Sequence, residues 1–353
     1  MTTKDNLSAF ILQKLQEHSN TTNVGILNGL AGESLYHFYR SELLDEDASY
    51  DTAVLKLQQV IEIMSSGQVH TTFYNGLAGI GWFICHLNEA EIAEIDIEDF
   101  LDTSVDTLLY EDMIQFLNMN LYDFFYGATG ICFYFLKRFI TTQNPALKET
   151  YKTYITQFLF YIEYRSITDV HGKYWKQHSY PFENDQGRYQ LSAANNISGL
   201  MLVLTEIAKI ADFNPVCLPL LKTSSSWLLY QLETEESIRM DQAYCLWKAG
   251  KVLENDSLQA KAIQFLKQTT DYLSQENSIS LSKFVLIYQS IGHETNDAFF
   301  TEKATESFQI MKEQLAQEDV KDTSIWKGYA GIGLTDLSVK FNLTTHWEAC
   351  MLI

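Results

Sequence analysis

Two kinds of apolar stretch alternate along this 353-residue chain. The first is amphipathic. Asn6 to His18 carries Leu7, Phe10, Ile11 and Leu15 at helical spacing, and Tyr50 to Met64 carries Val54, Leu57, Val60, Ile61 and Met64. The second is apolar nearly all round and opens on glycines, as in Asn75-Gly76-Leu77-Ala78-Gly79-Ile80-Gly81 and the run that follows it. A helix with one apolar stripe suits an outer layer with a solvated face, whereas a helix apolar on every side suits an inner, buried layer. The same reading predicts helices over Glu33 to Leu44, Glu91 to Tyr110, Leu147 to Tyr164 and Asn195 to Ala208. It continues with Pro215 to Leu229, Ala243 to Leu253, Leu258 to Leu273, Leu281 to Ile291, Phe300 to Leu315 and Ile325 to Phe341. Sustained period-2 alternation is nearly absent, so the chain is expected to be all-α.

The glycine-led stretch is a repeat. It occurs first as Val24-Gly25-Ile26-Leu27-Asn28-Gly29-Leu30-Ala31-Gly32 and last as Ile325-Trp326-Lys327-Gly328-Tyr329-Ala330-Gly331-Ile332-Gly333. Tyr126-Gly127-Ala128-Thr129-Gly130 is close to it, while the stretches ending at Gly199 and Gly250 keep only the second glycine. Around Ser280 to Leu286 both glycines are gone, and that copy rests on position alone. Successive copies lie roughly 40 to 70 residues apart, the spacing of a helix-pair repeat, which points to one ring or solenoid. Two glycines three apart tolerate a tight turn into the helix and leave a bare patch on one face where backbone can approach.

Composition narrows the function classes. A net charge of −20 argues against nucleic acid and anionic membrane surfaces, which need clustered Lys and Arg. The five cysteines are scattered, without C-x-x-C spacing, as in a reducing compartment. The first residues lack a signal-peptide core, and no stretch reaches about 18 uncharged apolar residues, so a soluble, cytoplasmic protein is expected.

One stretch breaks the rhythm. Arg165 to Gln190 contains His171, Gly172, His178, Pro181, Asn184, Asp185 and Gly187, too polar and turn-rich for a helix pair. A loop of that length in a compact repeat is usually functional or mobile. It reads as a flap or short strand pair.

The corners at 28–32, 75–79 and 326–333, together with Tyr122-Asp123 just ahead of Gly127, resemble those of the LanC-like lanthipeptide cyclases. The resemblance covers nearly the whole chain. It implies an α/α toroid, a double ring of seven inner and seven outer helices, with residues 1–353 as one domain and a non-helical insertion at about 165–190. The family closes thioether rings by adding a peptide cysteine thiol to a dehydrated Ser or Thr, on a zinc ion held by Cys, Cys and His. Zinc delivers as thiolate a thiol whose free pKa is about 8.5. Here the first zinc cysteine is matched by Cys245, in Tyr244-Cys245-Leu246-Trp247, but the Cys-His pair falls on about Ser282-Lys283 and the catalytic histidine on Asn195. The resemblance therefore implies a degenerate zinc site, and no cofactor is expected.

Asp123, Asn195 and Cys245 are the candidate catalytic residues, with Asp123 the acid–base group that the resemblance carries over. A capping role for Asp123 and a buried-hydrophobe role for Cys245 stand beside that. Tyr122, His171, His178, Arg239 and Trp247 are the candidate peptide contacts, and the two loop histidines are also candidate replacement ligands. The expected partner is a dehydrated precursor peptide held in the central cavity, with a dehydratase or other modifying enzyme alongside. The chain would act either as a zinc-independent cyclase or as a non-catalytic partner. A carbohydrate-active α/α-barrel hydrolase is the alternative. It needs a second carboxylate facing Asp123 across roughly 5 to 9.5 Å, for which Glu33 is the candidate.

Overall fold

The computed structural model describes residues 3–18, 21–67, 69–176, 193–234, 238–343 and 346–353. Among these residues it is almost wholly helical. The helices are α1 (Thr3–His18), α2 (Leu30–Leu44), α3 (Asp47–Ser65), α4 (Leu77–Glu89), α5 (Ile97–Phe100), α6 (Thr103–Asn118), α7 (Ala128–Thr141) and α8 (Pro145–Arg165). They continue as α9 (Ala193–Ile207), α10 (Asn214–Thr234), α11 (Met240–Val252), α12 (Asp256–Gln268), α13 (Ser278–Thr295), α14 (Ala298–Leu315) and α15 (Tyr329–Phe341). Only β1 (Ile167–Thr168) and β2 (Lys173–Tyr174) are extended, paired antiparallel at the start of the loop that breaks the repeat.

The two sequence patterns become two kinds of helix. Every residue from Leu30 to Arg40 of α2, and from Leu77 to Leu87 of α4, is buried. By contrast α3 buries only Ser49, Ala53, Lys56 and Val60, a single stripe at helical spacing. Several buried helices pack against the amphipathic ones that follow them: α2 with α3, α7 with α8, α11 with α12 and α13 with α14.

One predicted helix is divided. Glu91 to Tyr110 is not continuous: the chain makes the single turn of α5, breaks at Leu101-Asp102, and restarts as α6. Both starts are capped by aspartate. Asp96 accepts from the Glu98 N–H, and Asp102 accepts from the N–H groups of Ser104 and Val105. Apolar periodicity runs through the break because the caps, not the apolar positions, set the boundary.

The helices form two compact units. One comprises Met1–Leu101 and Tyr272–Met351 with Ile353, and holds α1 to α5 and α13 to α15. The other comprises Asp102–Asp271 with Leu352, and holds α6 to α12 with the strand pair. In the first, α2 packs on α4 and α15, and α13 on α15; in the second, α9 packs on α7 and α11.

Each unit also contains a buried polar network. In the first, Glu33 is fully enclosed, with Lys56 donating to Oε2 and Thr323 to Oε1. In the second, Asp106 accepts from Tyr134 at 2.6 Å and Tyr151 at 2.5 Å, while Arg138 donates to Tyr151 at 2.7 Å. Charges buried this way persist only because they are paired and hydrogen-bonded.

Candidate functional site

The glycine corners that open α2, α4, α7 and α15 share one backbone design. The N–H of Leu30 donates to the carbonyl of Asn23, Leu77 to His70, Ala128 to Leu121 and Tyr329 to Asp322, always seven residues back. A short loop thus folds over the start of its own helix. It passes so close that a Cβ on Gly29 would lie 2.3 Å from the Asn23 carbonyl oxygen, and one on Gly328 would lie 2.2 Å from that of Asp322. The second glycines are covered in the same way: Gly79 by the Phe73 carbonyl and Gly331 by the Ile325 carbonyl, each at 2.0 Å from a built Cβ. The backbone that the glycine spacing admits is therefore the corner's own loop. Neighbouring corners are also joined, with Trp326 N–H donating to Leu27 at 3.0 Å and Leu27 N–H to Tyr74 at 3.2 Å.

Asp123 sits in the third of these loops. Its Oδ1 accepts from the N–H groups of Phe125 and Tyr126, both at 2.8 Å, so it shapes the turn into α7. Tyr122 beside it is buried, donates to Asn120 at 2.6 Å, and has its phenol pKa raised by that burial. Thr129 donates to the Tyr122 carbonyl and closes the same corner.

Cys245 lies one turn into α11 and is wholly enclosed. Its thiol donates to the Ser198 carbonyl on α9 at 3.6 Å, and burial, reinforced by the charge of Asp241, pushes its pKa well up. Trp247 is likewise enclosed, between Tyr244 and the ammonium groups of Lys248 and Lys251. Arg239 precedes α11, is exposed, and pairs with Asp241 at 3.1 Å. Asn195 falls in the first turn of α9, and its side chain lies outside the described residues. His171 occupies the β1–β2 turn and stacks on Tyr230 of α10 with ring centroids 3.4 Å apart. His178 lies outside the described residues.

At the positions that resemble zinc ligands, the Cys245 thiol is turned to the Ser198 carbonyl, and Ser282 Oγ donates to the Ile279 carbonyl at 2.7 Å. Lys283 carries its ammonium 3.2 Å above the centre of the Trp326 ring. Among the described residues, no three His, Cys, Asp or Glu side chains converge as metal ligands. The sequence reading passed over the Lys283–Trp326 pair, because it joins two corners whose proximity no local pattern records. Glu33, candidate for a second hydrolytic carboxylate, has both oxygens engaged inside the core.

A family model described as lanthionine synthetase C-like protein matches residues 20–236, more than half of the chain. The chain belongs to this family. Among solved structures it is similar to one described as nisin cyclase, with a TM-score of 0.71 and 16% sequence identity over 99% of this chain and 97% of that one. The fold is thereby the all-α, α/α toroid. No curated protein matches the chain in sequence. Among the described residues, no helix is long and apolar enough to cross a membrane.

Proposed function

We propose that this protein serves a lanthipeptide-type modification pathway, taking a dehydrated precursor peptide in the central cavity that its family's fold implies. Family membership and a fold shared with a nisin cyclase along nearly the full chain carry this reading. Its chemistry is thioether closure without zinc, or the holding of the peptide for a partner enzyme such as the dehydratase. The replacement of the Cys-His pair by Ser282 and Lys283, and the enclosure of Cys245, support the zinc-free form. In that form the acceptor is already reactive, because a dehydroalanine needs only a thiolate. Glu33 does not support the hydrolase alternative, since its two oxygens accept from Lys56 and Thr323.

A synthetic peptide carrying one cysteine and one dehydroalanine tests this directly. Binding is read by fluorescence anisotropy, and closure by loss of maleimide-reactive thiol, each with and without a chelator. Binding that survives the chelator is the expected result. Closure that also survives it establishes the zinc-free cyclase, and binding without closure establishes the partner role. A peptide that does not bind, or binding that needs zinc, overturns the reading.

A further inference from the structure

Gly32, Gly79 and Gly331 are each covered by a backbone carbonyl of their own corner loop. Gly199 differs. Among the described residues, a Cβ built on it would meet side chains, Phe124 Cβ at 3.3 Å and Leu352 Cδ1 at 3.8 Å. All three residues belong to the second unit. Gly199 and Leu352 are half-buried, whereas Phe124 is enclosed and stands edge-on to Phe133 of α7, with ring centroids 5.7 Å apart. The result is a bare patch on α9 with a fixed aromatic wall, filled by an aliphatic side chain of the chain itself.

Leu352 is an unusual residue for its backbone. Its φ is 61°, in the left-handed region where a Cβ is strained and where glycine or asparagine ordinarily ends a helix. The turn is closed by Ile353 N–H donating to the Glu348 carbonyl at 3.3 Å, as in the glycine-ended helix cap. The other non-glycine residues described with positive φ are all Asp, Asn, Glu or His. A strained residue persists where its surroundings hold it, and the contact with Phe124 and Gly199 is what this side chain gains. The segment around it, Trp347-Glu348-Ala349-Cys350-Met351-Leu352-Ile353, reads as a short apolar peptide with a cysteine two residues before the leucine.

The patch adjoins two of the positions singled out in the sequence. Ser198, next to Gly199, takes the Cys245 thiol on its carbonyl, and Phe124 follows Asp123. Asp123, Phe125 and Tyr126 of the same corner are half-buried, so this side is reachable from solvent. We propose that the Gly199 patch is a subsite for an aliphatic side chain of the precursor peptide, and that Leu352 holds it as an internal competitor which the peptide displaces. The assignment rests on the peptide reading above. It adds both selectivity and a threshold, since only a peptide whose own side chain replaces Leu352 gains the contact. Release of Leu352 also lets its backbone leave the left-handed region.

The test separates displacement of Leu352 from peptide binding as such. It uses two fluorescent synthetic peptides, each with a cysteine and with alanine in place of dehydroalanine, so that no ring closes. One has leucine two residues after the cysteine, copying Cys350 and Leu352, and the other has aspartate there. Binding is read by anisotropy for wild type and for Leu352→Asn, whose asparagine tolerates the left-handed backbone. Urea denaturation checks that the variant is folded.

A competitor seated about nine-tenths of the time lowers apparent affinity about tenfold, so Leu352→Asn is expected to bind the leucine peptide at least about tenfold more tightly than wild type. The aspartate peptide is expected to bind both proteins alike and more weakly. In wild type the observed rate with the leucine peptide is expected to level off at high concentration, because release of Leu352 comes first, and this measurement needs no variant. Equal affinity of the leucine peptide for the two proteins, or a gain shared by the aspartate peptide, overturns the assignment and leaves peptide binding intact. So does a wild-type rate that keeps rising in proportion to peptide concentration. Failure of both peptides to bind either protein overturns the peptide reading and the assignment with it.

Discussion

The Trp326 N–H donates to the Leu27 carbonyl at 3.0 Å, tying the last glycine corner to the first. Leu27 passes the connection on through its own N–H to Tyr74 in the second corner. Equivalent positions of three repeats are thus linked head to tail by backbone alone, which explains why such different side chains as Leu, Tyr and Trp stand there. Only the glycines beside them are fixed by geometry, because a Cβ would strike the covering loop.

Substituting those glycines is therefore expected to separate by position. Gly79→Ala and Gly331→Ala each put a methyl 2.0 Å from a backbone carbonyl oxygen. Relieving such overlap moves the corner and costs about 1 to 3 kcal/mol, or more. Among the described residues Gly199→Ala meets the Phe124 Cβ at 3.3 Å and the Leu352 Cδ1 at 3.8 Å, and is expected to be much milder. Urea denaturation of the three variants gives the order, and equal losses would disprove this account of the repeat.

The buried pair Glu33–Lys56 makes a different demand. Lys56→Met leaves a fully enclosed carboxylate without the ammonium that donates to its Oε2, while Thr323 still donates to Oε1. Breaking one side of a buried ion pair costs about 3 to 5 kcal/mol. Adding Glu33→Gln removes the stranded charge, so the double variant is expected to recover a good part of that loss. A double variant as unstable as Lys56→Met would mean that packing, rather than charge, dominates at this position.

The legibility of the sequence follows from the range of each interaction. The buried and amphipathic helices were readable because period and glycine spacing are local, and so was the break after Arg165, where the chain forms β1 and β2. The division of Glu91 to Tyr110 was hidden because Asp96 and Asp102 act through caps that leave the apolar period untouched. Asp123 could be assigned either a proton-transfer or a capping role from its sequence; the hydrogen bonds it makes are those of a turn. The Thr323–Glu33–Lys56 network and the Lys283–Trp326 pair join residues far apart in the chain, where no periodicity points.

His37 gives the stability a pH dependence of known sign. Burial, with Lys56 and Arg40 adding, lowers its pKa from an ordinary 6.5 to about 3. The unfolded chain therefore binds a proton below about pH 6.5 that the folded chain refuses. The corresponding stability is fully present above that pH and is lost as pH falls toward 3, at up to about 1.4 kcal/mol per pH unit. Comparing wild type with His37→Gln by denaturation at pH 7, 5.5 and 4.5 isolates this contribution from that of the carboxylates. Parallel pH profiles would show that His37 is protonated in the folded state or relaxes into water.

Cys245 bears on both structure and chemistry. All five cysteines are buried and none forms a disulfide, and the Cys245 thiol is held against the Ser198 carbonyl. In the native protein at pH 8 an aromatic disulfide reagent is expected to find almost no fast-reacting thiol, and all five should react once the chain is denatured. Cys245→Ala removes one enclosed sulfur and should cost about 1 to 2 kcal/mol as a small cavity, within the ordinary range for a core truncation. Its peptide binding and any chelator-resistant ring closure should match wild type, because the sulfur is turned into the α9–α11 contact rather than toward a ligand. Loss of closure with unchanged stability would instead make Cys245 part of the chemistry, and would require α11 to move away from α9 before the thiol could act.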